Sequence, residues 1–222
     1  MASVVTICNM ALSHLGSQAQ VASIEPPDGS VEAGRCKLYF AVCRREMLEA
    51  FDWNFALKRV KLAPVENLSE RWRFAYGVPS DMLRPTRVLS LTPDYGVLYA
   101  AEPTTLPGGA REMYSLRASE RPSAPFTLEG DVLYTNEADA VLLYVRDVED
   151  STKFTPTFTT GISYLLASFL AGPILRGQEG TAAAANLRQI AMGVAGRAAA
   201  LAANSAGESQ THDHTPHWLA VR

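Results

Sequence analysis

Between Val31 and Phe55 the chain runs without a proline and with a single glycine, Gly34. Cys36, Tyr39, Phe40, Cys43, Met47, Ala50, Phe51 and Phe55 recur at steps of three and four, which makes one apolar stripe at the helical period. Lys37, Arg44, Arg45, Glu49 and Asp52 fall largely off that stripe. The spacing predicts one helix over 31–55, roughly 37 Å long at about 1.5 Å per residue. No other segment joins such length to so clear a stripe, so the flanking helices are expected to pack on this one. The stripe constrains packing and carries no chemistry of its own.

The three cysteines are Cys8, Cys36 and Cys43. Cys36 and Cys43 are two helical turns apart, too far for a disulfide between them. None lies in a CxxC pair, and all three read as small buried hydrophobes in a reducing cytosol. With 47% hydrophobic and 19% charged residues, the chain of 222 residues can bury a real core as one large domain or two small ones. A net charge of −3 and a pI near 5.8 argue against a broad basic surface of the kind that grips nucleic acid. The N-terminus has no basic region ahead of an apolar run, so no signal peptide is expected. The longest apolar run, Ile162 to Leu175, contains Gly172 and Pro173 and reads as too short for a bilayer, which needs about 20 residues. A soluble, intracellular protein is the expectation.

Along the chain, Ser3 caps a predicted helix through Leu15, with Val4, Ile7, Cys8, Ala11 and Leu15 on one face and Gly16 at the left-handed position after it. His14 reads as a surface or capping residue. Pro26, Pro27, Asp28 and Gly29 form a turn cluster ahead of the long helix. From about Leu57 to Asp150 the helical stripes vanish. Short β-rich runs replace them at Arg87–Leu91, Val97–Ala101, Met113–Leu116, Phe126–Leu128, Val132–Thr135 and Val141–Val148. Glu129-Gly130-Asp131 reads as a hairpin turn, and Val141–Val145 as a central strand buried on both faces. Helix returns with Thr155 as N-cap and Pro156 at the first position. Pro173 kinks or ends it, Gly177 to Gly180 breaks the chain, and an alanine-rich helix follows over 181–203, suited to close helix packing. The chain therefore predicts an α+β fold. Its parts are a helical part over 1–56, an inserted antiparallel β-rich domain over 57–150, a second helical part over 151–205 and a flexible tail over 206–222.

Candidate chemistry is sparse. His212, Asp213, His214 and His217 have metal-ligand residue types, but a tail offers no supporting shell to orient them. Leu106–Ala110 lacks the lysine and following helix of a phosphate loop. No nucleophile elbow, HExxH or Ser-His-Asp arrangement occurs. No catalytic residue, metal or cofactor is therefore expected. Arg71-Trp72-Arg73-Phe74-Ala75-Tyr76 alternates basic and aromatic residues, which suits base stacking. It also suits aromatics in a core with arginines outside, and the alternation favours that second reading.

The order of short motifs resembles that of the tail tubular protein A family, the head-to-tail adaptors of short-tailed bacteriophages. The matching pieces begin with Asn9–Gly16, Cys36, Tyr39, Arg44–Leu48 and Trp53–Ala56. They continue with Trp72–Tyr76 leading to Pro79–Arg84, then Leu133–Thr135, Tyr144 and Phe154–Phe158, and a helix carrying Leu166-Ala167 and Leu170-Ala171. Their order spans most of residues 5 to 190. The alanine-rich last helix and the histidine tail match nothing in that pattern.

The resemblance implies a helical bundle with an inserted β-domain, assembled as a ring of commonly twelve copies at the head–tail junction of the virion. It implies contacts with the portal protein on one side and with tail tubular protein B, the nozzle, on the other, with tail fibres outside and DNA passing through the lumen. No enzymatic activity, cofactor or membrane contact is implied. Arg44, Arg45, Glu49 and Asp52 on the polar side of the long helix are candidate subunit contacts, and Trp218 and Leu219 at the tail tip are candidates for docking on the portal. The alternative from the residues alone is a small metal-binding or enzymatic module using the histidine tail. A third reading is a DNA-binding accessory protein using Arg71 and Arg73.

Overall fold

The computed structural model describes residues 2–89 and 123–208. The expected strands at Val97–Ala101 and Met113–Leu116, the loop Leu106–Ala110 and the tail residues from 209 onward lie outside them. The fold is α+β, and the chain divides into two compact units. One is formed by residues up to Ala56 and again from Asp147, the other by Leu57–Arg146.

The helical unit begins with α1, Val4–His14. The Ser3 hydroxyl accepts from the Thr6 N–H at 3.1 Å, satisfying one of the donors that a helix N-terminus leaves open. Gly16 ends the turn at φ +70°, a conformation that costs glycine nothing. The Asn9 amide then holds the returning chain in both directions: its Nδ2 donates to the Val21 carbonyl at 3.0 Å, and its Oδ1 accepts from the Val21 N–H at 2.8 Å. The turn cluster is organised by Asp28, whose carboxylate accepts from the Ser30 hydroxyl and from the Ala22 and Ser30 N–H groups. Those bonds hold its pKa down at about 2. Ser30 in turn caps α2 through the Ala33 N–H.

Helix α2 spans Val31–Glu49, six residues shorter than the periodicity predicts. The cause lies in its last turn. The Met47 carbonyl, which a continuing helix would give to the Phe51 N–H, instead accepts the Trp53 indole N–H at 2.8 Å. The chain turns tightly there, and Phe51, Trp53 and Phe55 leave the helix to gather around Phe154 and Phe158. The core face of α2 is Ala33, Cys36, Phe40, Cys43, Met47 and Leu48, joined by Arg44.

A 3₁₀ turn at Ser151–Lys153 leads to α3, Pro156–Leu175, with Thr155 capping it and Pro156 at its start. Pro173 does not break it; the helix continues two residues further and stops where Arg176 takes φ +55°. At 20 residues α3 is long and apolar enough to cross a membrane, contrary to the expectation of a run too short to do so. Its apolar window is 61% buried inside the protein, as in a core helix. The break expected over Gly177 to Gly180 falls at Arg176, and helix α4 already begins at Gly177, running over Gly177–Glu208 for 32 residues. The Gly180 N–H closes the first turn onto the Arg176 carbonyl. The helices pack on α3 and not, as expected, on α2: α1, α2 and α4 all contact α3, and the α3–α4 pairing is the most extensive between any two elements. The approach is tight at Gly180, where a methyl group would meet the Ala171 carbonyl oxygen at 3.1 Å.

The second unit holds two antiparallel sheets. Strands β1 (Leu57–Lys61), β7 (Val141–Arg146) and β4 (Met82–Leu89) lie in the order β1-β7-β4. Strands β2 (Ala63–Pro64), β3 (Phe74–Gly77), β6 (Val132–Thr135) and β5 (Phe126–Glu129) lie in the order β2-β3-β6-β5. Strands β5 and β6 form the expected hairpin, with Gly130 at φ +57°. Strand β7 is central, flanked on both sides, but it is not buried on both faces throughout as expected: Leu142, Tyr144 and Val145 are buried while Val141 and Leu143 are half-buried. Tyr76 and Leu133 from one sheet meet Val88, Leu142 and Tyr144 from the other in a shared core. The expected strand at Arg87–Leu91 is the end of the longer β4, whose register shifts by a bulge on either side of Arg84 and Pro85. Of the Arg71–Tyr76 alternation, Tyr76 is core while Trp72 lies before the strand, half-buried under the Arg71 guanidinium.

Candidate subunit-contact surface

Helix α2 brings Arg44, Arg45, Glu46 and Glu49 to the end of the helical unit where the second chain segment enters with Asp147-Val148-Glu149. Arg44 is a correction to the sequence reading. Its side chain is 7% exposed and lies inside the unit, 2.8 Å from Asp147 and 3.4 Å from Glu149. Asp147 is itself only 15% exposed. A helical wheel places Arg44 beside the stripe, and the long aliphatic stem is buried with it while the charged head reaches a carboxylate from a distant segment. Such a pair matters through what its rupture leaves behind: an uncompensated buried charge costs about 3–5 kcal/mol.

Arg45 is exposed, yet its Nε donates to the same carboxylate at 2.8 Å. Being half in water, that second bond contributes about 1 kcal/mol at most. Reversing the charge at Arg45 therefore strikes Asp147 before it strikes any neighbouring subunit. Glu46 is held by Arg188 from α4. Glu49 is exposed and makes no ion pair among the described residues. Asp52 lies beyond the end of the helix, half-buried. The four candidates do not form one exposed polar face: Arg44 is internal, Arg45 is tied to Asp147, and Glu49 is left as the open charge. Trp218 and Leu219 lie outside the described residues.

The far side of α2 is apolar as well, outside the predicted stripe. Val31, Leu38 and Val42 are 62%, 65% and 53% exposed, on the face opposite the core. The signal was in the sequence as apolar residues off the stripe, at spacings of seven and four.

All three cysteines are free and buried, and the Cys8 contact holds the Cys36 thiol below its ordinary value. The Cys36 thiol, together with burial, pushes Cys8 up, and burial pushes Cys43 up to about 12. Among the described residues no three His, Cys, Asp or Glu side chains converge as metal ligands. In the β unit, Asp81 accepts from the Tyr144 hydroxyl at 2.7 Å and from Lys58 at 2.9 Å. Burial works to raise the Asp81 pKa, but these two donors outweigh it and hold the carboxylate below its ordinary value. Tyr144 is pushed up by burial and by Asp81, so the hydroxyl stays protonated and the cluster acts as a clasp on the start of β4.

No protein-family model matches the chain, and no curated protein matches it in sequence.

Proposed function

We propose that this protein is a structural head-to-tail adaptor of a short-tailed bacteriophage, forming a ring between the portal and the tail nozzle, with DNA passing through its lumen. The observation that carries the reading is the arrangement of the chain. A helical unit is built from two segments, Met1–Ala56 and Asp147 onward, with a β unit inserted between them. This matches what the ordered motifs from Asn9 to Ala171 imply. In this role the protein works by shape and repeated contact, with unlike patches meeting around a closed rotation. An acidic pI suits a channel along which DNA must slide, since weak attraction leaves the duplex free to move. The ring is a virion component made in the host cytoplasm, and its partners are further copies of the chain, the portal, the nozzle protein and the tail fibres.

Electron microscopy of the purified protein mixed with its portal tests the reading. A closed ring seated on the portal is the expected result. A portal left bare at saturating protein concentration overturns it.

A further inference from the structure

The register of the three-stranded sheet separates its two faces. Lys58, Val60, Leu142, Tyr144 and Val88 share the core side, so Arg59, Leu143 and Arg87, which are paired across the sheet in one row, point to the other. Neighbouring strands lie about 4.8 Å apart, which puts the two arginine Cα atoms roughly 10 Å from one another with Leu143 between them. Both arginines are exposed, Leu143 is half-buried, and neither arginine has a carboxylate partner among the described residues. Lys61 in the next row is already paired with Asp139. Two guanidinium groups flanking an apolar side chain, without counter-charge, form a surface whose complement is two carboxylates flanking an apolar side chain.

The same chain presents that complement. The loop between β2 and β3 carries Glu66, Leu68 and Glu70, with Leu68 at 80% exposure, the most exposed large hydrophobic residue described. Both glutamates are exposed, and neither is ion-paired among the described residues. The loop is held in shape from within: the Asn67 amide donates to the Trp72 carbonyl at 2.7 Å and accepts from the Ser69 N–H at 2.9 Å. A pre-shaped loop loses little freedom on docking. Leu68 stands out from its own chain, which leaves it open to a second copy.

We infer that the Glu66–Leu68–Glu70 loop of one copy docks on the Arg59–Leu143–Arg87 row of a second copy. A DNA backbone is the weaker fit, because phosphates gain nothing from Leu143 and a chain of net charge −3 repels a polyanion at long range. The contact joins unlike patches, so it can propagate around a ring, and in that use it rests on the adaptor reading. It falls well short of the roughly 800 Å² per partner of a standard interface, so a single contact is weak and is read at high protein concentration.

The test is a charge swap on the full chain, read by sedimentation velocity up to about 1 mM, where even some 4 kcal/mol of binding populates the complex. The wild type associates, and added salt weakens the association by screening. Arg59→Glu/Arg87→Glu alone and Glu66→Lys/Glu70→Lys alone each weaken it about tenfold or more, because like charges then face each other. Mixing the two variants restores association, because each variant's loop now meets an opposite charge on the other's sheet. Far-UV circular dichroism confirms that both variants are folded. A wild type that stays monomeric, variants that associate like wild type, or a mixture that does not recover while both variants are folded would each overturn the contact. The two readings fail separately. A ring on the portal that is indifferent to the swap removes this contact and keeps the adaptor. Swap-sensitive association with a bare portal keeps the contact and removes the adaptor.

Discussion

His14 shows how much a single side chain can depend on partners that lie far away in sequence. From its position near the end of α1 it reads as a capping residue. In the fold its ring stacks on Tyr164 with centroids 4.0 Å apart, and its Nε2 lies 3.1 Å from the Ser163 hydroxyl. Ser163 gives its only proton to the Thr160 carbonyl at 2.8 Å, so Nε2 must carry the hydrogen and donate to Ser163. That bond is available to the neutral and the charged ring alike. What separates the two forms is burial, which lowers the His14 pKa below 6.5. The unfolded chain therefore takes up the proton first as pH falls. The stabilisation is full above 6.5 and is lost as pH falls through the lowered folded-state value. The urea midpoint of the wild type should fall between about pH 7.5 and pH 5.5, and His14→Gln should flatten that dependence. Equal slopes for the two proteins would exclude this role. Arg44 teaches the same lesson: nothing near it in sequence names Asp147, and an arginine's long stem lets it sit inside a core that a wheel diagram draws as polar.

Elements were more legible than residues where their signals are local. Ser3 and Thr155 act through neighbours three residues away and cap the helices they precede, as expected; Ser30, which the sequence reading passed over, does the same for α2. The Gly130 hairpin and the central place of β7 follow from a turn residue and an unbroken apolar run. Strands β1, β2 and β3 carry no such signal: Leu57–Lys61 is mostly basic, and it is a strand because β7 pairs with it. Helix ends misled in both directions. The Trp53 indole shortens α2, while α4 absorbs glycines that read as a break. Gly180 is the telling case, since it lies in α4 for the sake of its neighbour. The Ala171 carbonyl oxygen at 3.1 Å and the Gly172 Cα at 3.3 Å from an added methyl are backbone atoms, which cannot rotate away. Gly180→Ala should therefore destabilise by about 1–3 kcal/mol through overpacking. Gly193 in the same helix has open space at that position, so Gly193→Ala should stabilise by about 0.5–1 kcal/mol. Urea titration of the two variants checks the pair, and a shift of the same sign for both would show that helix propensity alone is being measured.

At the scale of the molecule, the β unit enters and leaves the chain at one place. Leu57, its first residue, is the register partner of Val145, one residue before its last, on adjacent antiparallel strands. Such strands lie about 4.8 Å apart, so Ala56 and Asp147 leave and re-enter the helical unit within reach of a very short bridge. The helical unit also has what folding alone requires. Helices α1, α2 and α4 pack against α3, the Trp53–Phe158 aromatic group closes one end, and the Arg44–Asp147 pair lies wholly within the unit. A chain in which residues 57–146 are replaced by a few glycine and serine residues should keep its helical circular dichroism and melt cooperatively. Adding Arg44→Ala to that chain should cost about 3–5 kcal/mol, as expected for a buried ion pair broken on one side. A shortened chain with helical content but no cooperative transition would mean that the insert is part of the helical unit's core and not a separate body carried on it. Mixed with the portal, the cooperative shortened chain then divides the proposed assembly. If the contact between loop and sheet holds the copies together, this chain binds without closing a ring, because both patches have been removed with the insert.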